Sequence, residues 1–95
     1  MASNTSVHVS RFAEKQLKKV PLQIKESLFI WAQTVEELGI REARKLPGYH
    51  DEPPKGSRAG QRSVRLNRAY RAIYEESSEG KLILITVVEV NKHDY

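Results

Sequence analysis

Nine consecutive residues, Leu82-Ile83-Leu84-Ile85-Thr86-Val87-Val88-Glu89-Val90, include only two that are not aliphatic. A run so apolar and so rich in β-branched residues reads as the central strand of a sheet, covered on both faces. The rest of the chain must therefore supply flanking strands and a layer to cover them. Upstream, Arg62-Ser63-Val64-Arg65-Leu66-Asn67 alternates, with Val64 and Leu66 on one side and Ser63, Arg65 and Asn67 on the other. A tight turn near Asn67-Arg68 leads to a further strand, Tyr70 to Glu75, and Glu76-Ser77-Ser78-Glu79-Gly80 reads as the hairpin loop before the central strand.

The covering layer comes from the first half. Val7-His8-Val9 alternates like a short strand. Ser10 offers an N-cap for a helix over 11–19, and Pro21 suits the first turn of a second helix that runs to Leu38 and is closed by Gly39. Leu17, Val20, Ile24, Leu28, Trp31, Val35 and Leu38 recur at spacings of three and four, one continuous apolar stripe. Such a stripe packs on a sheet, and Trp31 is expected in the core rather than stacked on a base. Residues 40–61 lack a clean period. Arg41 to Leu46 fits one helical turn, and Pro53-Pro54 with Gly56 and Gly60 marks an irregular loop. The order strand, two helices, three strands predicts one α+β domain over residues 1–95, a mainly antiparallel four-stranded sheet with two N-terminal helices packed on it.

Composition removes several classes of function. The chain of 95 residues has no cysteine, so disulfides, thiolate zinc sites and cysteine nucleophiles are excluded. No apolar run approaches the length of a membrane span, and Met1 to Ser6 has neither the basic region nor the apolar stretch of a secretory leader; a cytoplasmic protein is expected. The glycines of Lys55-Gly56-Ser57-Arg58-Ala59-Gly60 do not make a phosphate-binding loop, and no serine-hydrolase elbow occurs. His8, His50, Asp51, Glu52, His93 and Asp94 show no metal-ligand spacing, so neither a metal nor a cofactor is expected.

Charge is more informative. The net charge is +4, yet residues 73–95 are acidic on balance. Between Lys55 and Arg71 stand six basic residues, Lys55, Arg58, Arg62, Arg65, Arg68 and Arg71, and no acid. Arginine is costly to bury unpaired, and its planar fork suits phosphate, so strands carrying several present them to something anionic. For any single arginine a solvated surface position remains equally open. Polar clusters flank this segment, Tyr49-His50-Asp51-Glu52 before it and Asn91-Lys92-His93-Asp94-Tyr95 after it. Cleavage of RNA needs a base for the 2′-hydroxyl, cations for the phosphorane and an acid for the leaving 5′-oxygen. Glu52 suits the base, Arg65 and Arg71 a phosphate clamp, Lys55 an added charge, and His93 the acid. Tyr49 or Tyr95 can stack on a base or donate a hydrogen bond. The alternatives are a loop salt bridge between Glu52 and Lys55, and a frayed end at His93 and Tyr95.

Three segments together resemble the RelE/ParE toxin superfamily: His50-Asp51-Glu52-Pro53-Pro54-Lys55-Gly56, then Gly60-Gln61-Arg62-Ser63-Val64-Arg65-Leu66-Asn67, then Tyr70-Arg71-Ala72-Ile73-Tyr74. The ending Glu89-Val90-Asn91-Lys92-His93-Asp94-Tyr95 is similar to members of the RelE, YoeB and HigB type. The resemblance implies a RelE-like fold and the toxin of a type II toxin–antitoxin pair, a metal-independent endoribonuclease cutting mRNA in the ribosomal A site. It places Glu52, Arg65, Arg71 and a terminal group, His93 or Tyr95, in catalysis and matches Lys55 to a loop lysine that contacts RNA; Tyr49 and the remaining arginines of the basic cluster, Arg58, Arg62 and Arg68, are expected against RNA from their residue types alone. Many members end His-Tyr or Tyr-His; here Asp94 intervenes, which leaves His93, Tyr95 or both as the terminal group. Implied partners are a cognate antitoxin covering the Arg65/Arg71 face, the 70S ribosome with its mRNA, and operator DNA reached through the antitoxin, with no membrane. A gyrase inhibitor of the ParE type, without nuclease activity, is the alternative, and an RNA-binding module without turnover a third.

Overall fold

The structure is a computed structural model and describes residues 4–54, 56 and 58–92. In chain order its elements are β1 (Thr5–Val9), α1 (Arg11–Leu17), α2 (Leu22–Leu38), α3 (Ile40–Ala43), a 3-10 turn (Pro47–Tyr49), β2 (Gln61–Arg65), β3 (Tyr70–Glu79) and β4 (Leu82–Lys92). The four strands form one sheet in the order β1-β4-β3-β2. β1 runs parallel to β4, while β3 is antiparallel to both β4 and β2. The sheet is therefore mixed rather than antiparallel throughout, and a third short helix joins the two expected. The chain must cross the sheet from β1 at one edge to β2 at the other, and α1 and α2 lie in that crossing.

Local chemistry sets the boundaries. The Ser10 hydroxyl accepts a hydrogen bond from Ala13 N at 3.1 Å and caps α1. Pro21, which lacks an N–H, stands just outside α2 as its N-cap. Gly39 closes α2 at φ 85°, its N–H donating to Val35 O at 2.8 Å, a backbone conformation that glycine tolerates best.

The apolar stripe of α2 is buried at Ile24, Leu28, Trp31 and Val35, whereas Leu38, at the end of the stripe, lies half exposed. Beneath it the inner face of the sheet presents Val64, Ala72, Tyr74, Ile85, Val87 and Val90. Trp31 and Tyr74 meet with ring centroids 5.2 Å apart and tilted by 44°, at the centre of this layer. A bulge lets both Val87 and Val90 face inward: Tyr74 pairs with Val87 and Ile73 with Glu89, so Val88 is the extra residue. β4 is interior to the sheet, but only one of its faces is fully covered. Leu84, Thr86, Val88 and Glu89 are half-buried and Leu82 is exposed. β3 also continues beyond Glu75 to Glu79, pairing with β4 as far as Leu82 through residues expected in a loop. The hairpin turns on two residues, Gly80 and Lys81, with Gly80 at φ 60° as the first central residue of a type II′ turn requires.

Candidate functional site

Residues directly opposite across a ladder share a face of the sheet, so the register sorts the polar side chains. Arg65 is opposite Arg71, and Arg71 is opposite Asn91. Ser63 is opposite Ile73, and Ile73 is opposite Glu89. These six occupy the outer face, away from the helices. Glu52 joins them through an isolated antiparallel bridge to Ser63, with Glu52 N donating to Ser63 O at 3.0 Å and Ser63 N to Glu52 O at 2.8 Å.

Arg71 ties this face together. The residue is buried; its Nε donates to Ser63 Oγ at 2.5 Å and its Nη2 to the His50 carbonyl at 3.1 Å, with Glu52 Oε1 3.6 Å away. The Glu52 side chain is 64% exposed, so its carboxylate is both anchored and open to an incoming group. Among the described residues no hydrogen bond or ion pair engages the Arg65 side chain, which lies across the ladder from Arg71. Further along, Arg58 makes a forked contact with Glu89, at 3.4 and 3.2 Å, and Asn91 Nδ2 donates to the same carboxylate. This pair fastens the loop after Pro54 to β4.

A second network lies on the inner side of β2. Asp51, buried, accepts from Arg62 Nε and from Tyr74 Oη, both at 2.5 Å. Arg44 Nε donates to Tyr74 Oη at 3.1 Å, and Arg44 Nη2 lies 2.9 Å from Glu76 Oε1. Burial pushes the Tyr74 phenol well above its ordinary value; Arg44 opposes that, and the Asp51 carboxylate adds to it. For Arg44, burial acts to lower the guanidinium, but its bond to Tyr74 and the charges of Asp51 and Glu76 outweigh this and hold it above its usual value.

No protein-family model and no curated protein matches the sequence. Solved structures do match. The YoeB/ParE toxin from Agrobacterium tumefaciens is 20% identical, with 94% of this chain and 99% of that chain covered at a TM-score of 0.63. The archaeal RelE-RelB complex from Pyrococcus horikoshii OT3 is 17% identical over 97% of this chain and 96% of that one, with a TM-score of 0.68. The E. coli DinJ-YafQ toxin-antitoxin complex is 18% identical over 95% and 93%, at 0.61. The chain has the fold of the RelE and YoeB toxins.

On this RelE-like frame the residues singled out from sequence divide into groups. Glu52, Arg65 and Arg71 come together on one face. Arg71 is turned onto Ser63 and His50, however, so a symmetrical two-arginine clamp is not what the side chains form. Arg62 does not reach that face: its pairing with Tyr74 in the ladder puts it on the inner side, where Asp51 holds it. Arg58 is on the outer side but paired with Glu89. Arg68 is exposed in the turn between β2 and β3, where Asn67 Oδ1 accepts from Ala69 N and Tyr70 N. The Tyr49 ring packs against the core and is only half available for stacking. Lys55, His93 and Tyr95 lie outside the described residues. Among the described residues no group of three or more His, Cys, Asp or Glu is placed to hold a metal ion, and no helix is long and apolar enough to cross a membrane. Sequence reasoning passed over Ser63, Tyr74 and Glu89, and treated Asp51 only as loop polarity. The alternation that put Val64 inward also puts Arg62 inward, and an inward arginine needs an acid; that signal was present.

Proposed function

We propose that the chain is the toxin of a type II toxin–antitoxin pair and that it cleaves mRNA in the ribosomal A site. The observation that carries this reading is an exposed carboxylate, Glu52, held 3.6 Å from Arg71 on the same face as Arg65, whose side chain no hydrogen bond or ion pair engages among the described residues. In the proposed step, Glu52 takes the proton from a ribose 2′-hydroxyl, and O2′ attacks the adjacent phosphorus. The P–O2′ bond forms, the P–O5′ bond breaks, and a proton is delivered to the departing O5′. The products are a 2′,3′-cyclic phosphate and a 5′-hydroxyl end. Arg65 is the described cation best placed to meet the charge growing on the phosphate oxygens. Arg71 orients Glu52. From the sequence, His93 or Tyr95 supplies the proton to O5′, and Lys55 adds positive charge beside the base.

The structures of RelE with RelB and of YafQ with DinJ support a cognate antitoxin as partner, and it would cover the Arg65 face. A cytoplasmic location, the 70S ribosome and operator DNA bound through the antitoxin complete the proposal. The test is a purified translation system with the cut ends mapped by primer extension. Cuts at A-site codons only when ribosomes are present, abolished by Glu52→Gln, are the expected result. Intact mRNA from a preparation that still arrests growth would overturn the nuclease reading and direct attention to gyrase supercoiling.

A further inference from the structure

Asp51 and Glu52 are neighbouring carboxylates with opposite surroundings, one side chain 2% exposed and the other 64%. Each of the three residues from His50 to Glu52 is tied to a different point on the sheet. The His50 carbonyl receives Arg71, the Asp51 carboxylate receives Arg62 and Tyr74, and the Glu52 backbone exchanges hydrogen bonds with Ser63. His50 adopts the left-handed conformation, φ 45° and ψ 51°, uncommon for a residue with a side chain, and so turns the chain from the 3-10 turn onto the edge of β2.

We propose that Asp51 is a positioning residue that sets Glu52 on the outer face, a step that deepens the nuclease reading and rests on it. Consecutive side chains of an extended segment point to opposite faces, so seating Asp51 inward obliges Glu52 to point outward. A slip of one residue would reverse the two. The inward seat is specific to an aspartate. It supplies two donors, Arg62 Nε and Tyr74 Oη, at 2.5 Å each, which a buried carboxylate needs and an aliphatic residue cannot use. It is also rigid, because Tyr74 is held from above by Trp31 and from the side by Arg44, itself paired with Glu76. The Arg71–Glu52 contact is fixed from the other side by Ser63 and His50. Glu52 thus depends on an ion network on the face it does not occupy.

Two variants test this, Asp51→Asn and Tyr74→Phe, the second keeping the ring and its contact with Trp31. Each is assayed for single-turnover cleavage of ribosome-bound mRNA, for affinity toward a short RNA, and for the carboxyl carbon resonance of Glu52 by NMR. Misplacing a base costs about 10–100-fold in rate, so cleavage should fall by that factor while RNA affinity stays unchanged. The Glu52 resonance should move toward the position it takes in an Arg71→Lys variant. Wild-type cleavage rates in both variants, a parallel loss of RNA affinity, or an unmoved Glu52 resonance would each overturn the proposal. Should Asp51→Asn fail to fold, Tyr74→Phe carries the test alone. If the wild-type chain does not cleave RNA, the nuclease reading falls separately, and the Glu52 resonance decides the positioning role by itself.

Discussion

Arg65 and Arg71 face each other across a ladder, yet the structure predicts very different consequences for removing them. Arg71→Ala deletes a 2.5 Å bond to Ser63 Oγ, a 3.1 Å bond to the His50 carbonyl and a 3.6 Å ion pair with Glu52. A hydrogen bond from a charged donor contributes about 1.5–3 kcal/mol, and the ion pair with an exposed carboxylate well under about 1 kcal/mol. Truncation also admits water to Ser63 and His50, which returns part of that loss. The expected net cost is about 2–4 kcal/mol, a fall in melting temperature of roughly 10–20 °C for a domain this size. Arg65→Ala breaks no bond among the described residues and should cost less than about 0.5 kcal/mol. Urea and thermal unfolding, followed by fluorescence of the single buried tryptophan Trp31, measure both. Both variants should lose cleavage, but only Arg65→Ala should do so at wild-type stability. Equal stabilities for the two variants, or an Arg71→Ala chain as stable as wild type, would refute the assignment of Arg71 as an internal tie.

The centre of the core gives a second expectation: Trp31→Ala removes the ring that meets Tyr74 and should cost about 3–5 kcal/mol, seen as early unfolding in urea. Ser10→Ala removes the cap of α1 and should cost about 1 kcal/mol in the same assay. The raised Tyr74 phenol predicts a pH dependence of definite sign. Its stabilising contribution is fully present below about pH 10, where an unfolded tyrosine ionises, and is lost as the pH rises past that value toward the folded one. Unfolding midpoints should therefore fall in the alkaline range for wild type and fall less for Tyr74→Phe; parallel curves would contradict it. With Arg58, Arg62 and Arg71 in internal ion pairs, binding of a short single-stranded RNA should depend on salt with a log–log slope no steeper than about −2, at about −0.7 per phosphate contact; a slope near −4 would mean that those pairs open on binding.

Periodicity carried the fold well wherever one face of an element is buried. The spacing of Ile24, Leu28, Trp31 and Val35 gave α2 and its inward face, and the run from Leu82 gave an interior strand. Its limits have physical causes. The parallel pairing of β1 with β4 is a contact between residues almost eighty positions apart, and nothing in Val7-His8-Val9 distinguishes a parallel neighbour from an antiparallel one. Residues Glu76 to Glu79 read as a loop because they are polar, but a two-stranded ribbon projecting past the core satisfies its backbone without burying side chains. Only Gly80, which supplies the positive φ, marked the true turn. The double coverage expected of β4 failed because the helices all lie on one side.

The site was legible to the same depth and no further. Alternation allowed Arg65 and Arg71 to share a face, which the β2–β3 register bears out, and the resemblance brought Glu52 beside them. What alternation does not give is the state of each guanidinium. A cluster of arginines looks like a phosphate platform when read along the chain, yet three of its members answer acids of their own: Arg58 to Glu89, Arg62 to Asp51 and Arg71 to Glu52. Those acids come from other segments, so about half of the positive charge between Lys55 and Arg71 is paired once the chain folds. The arginines thereby acquire a division of labour. Arg58 pairs with Glu89, Arg62 with Asp51 and Arg71 with Glu52, while Arg65, engaged by no bond among the described residues, is on the proposed reading the one that meets the phosphate. On the proposed reading, positive charge beside Glu52 serves first to hold its carboxylate in place and only then to attract the phosphate.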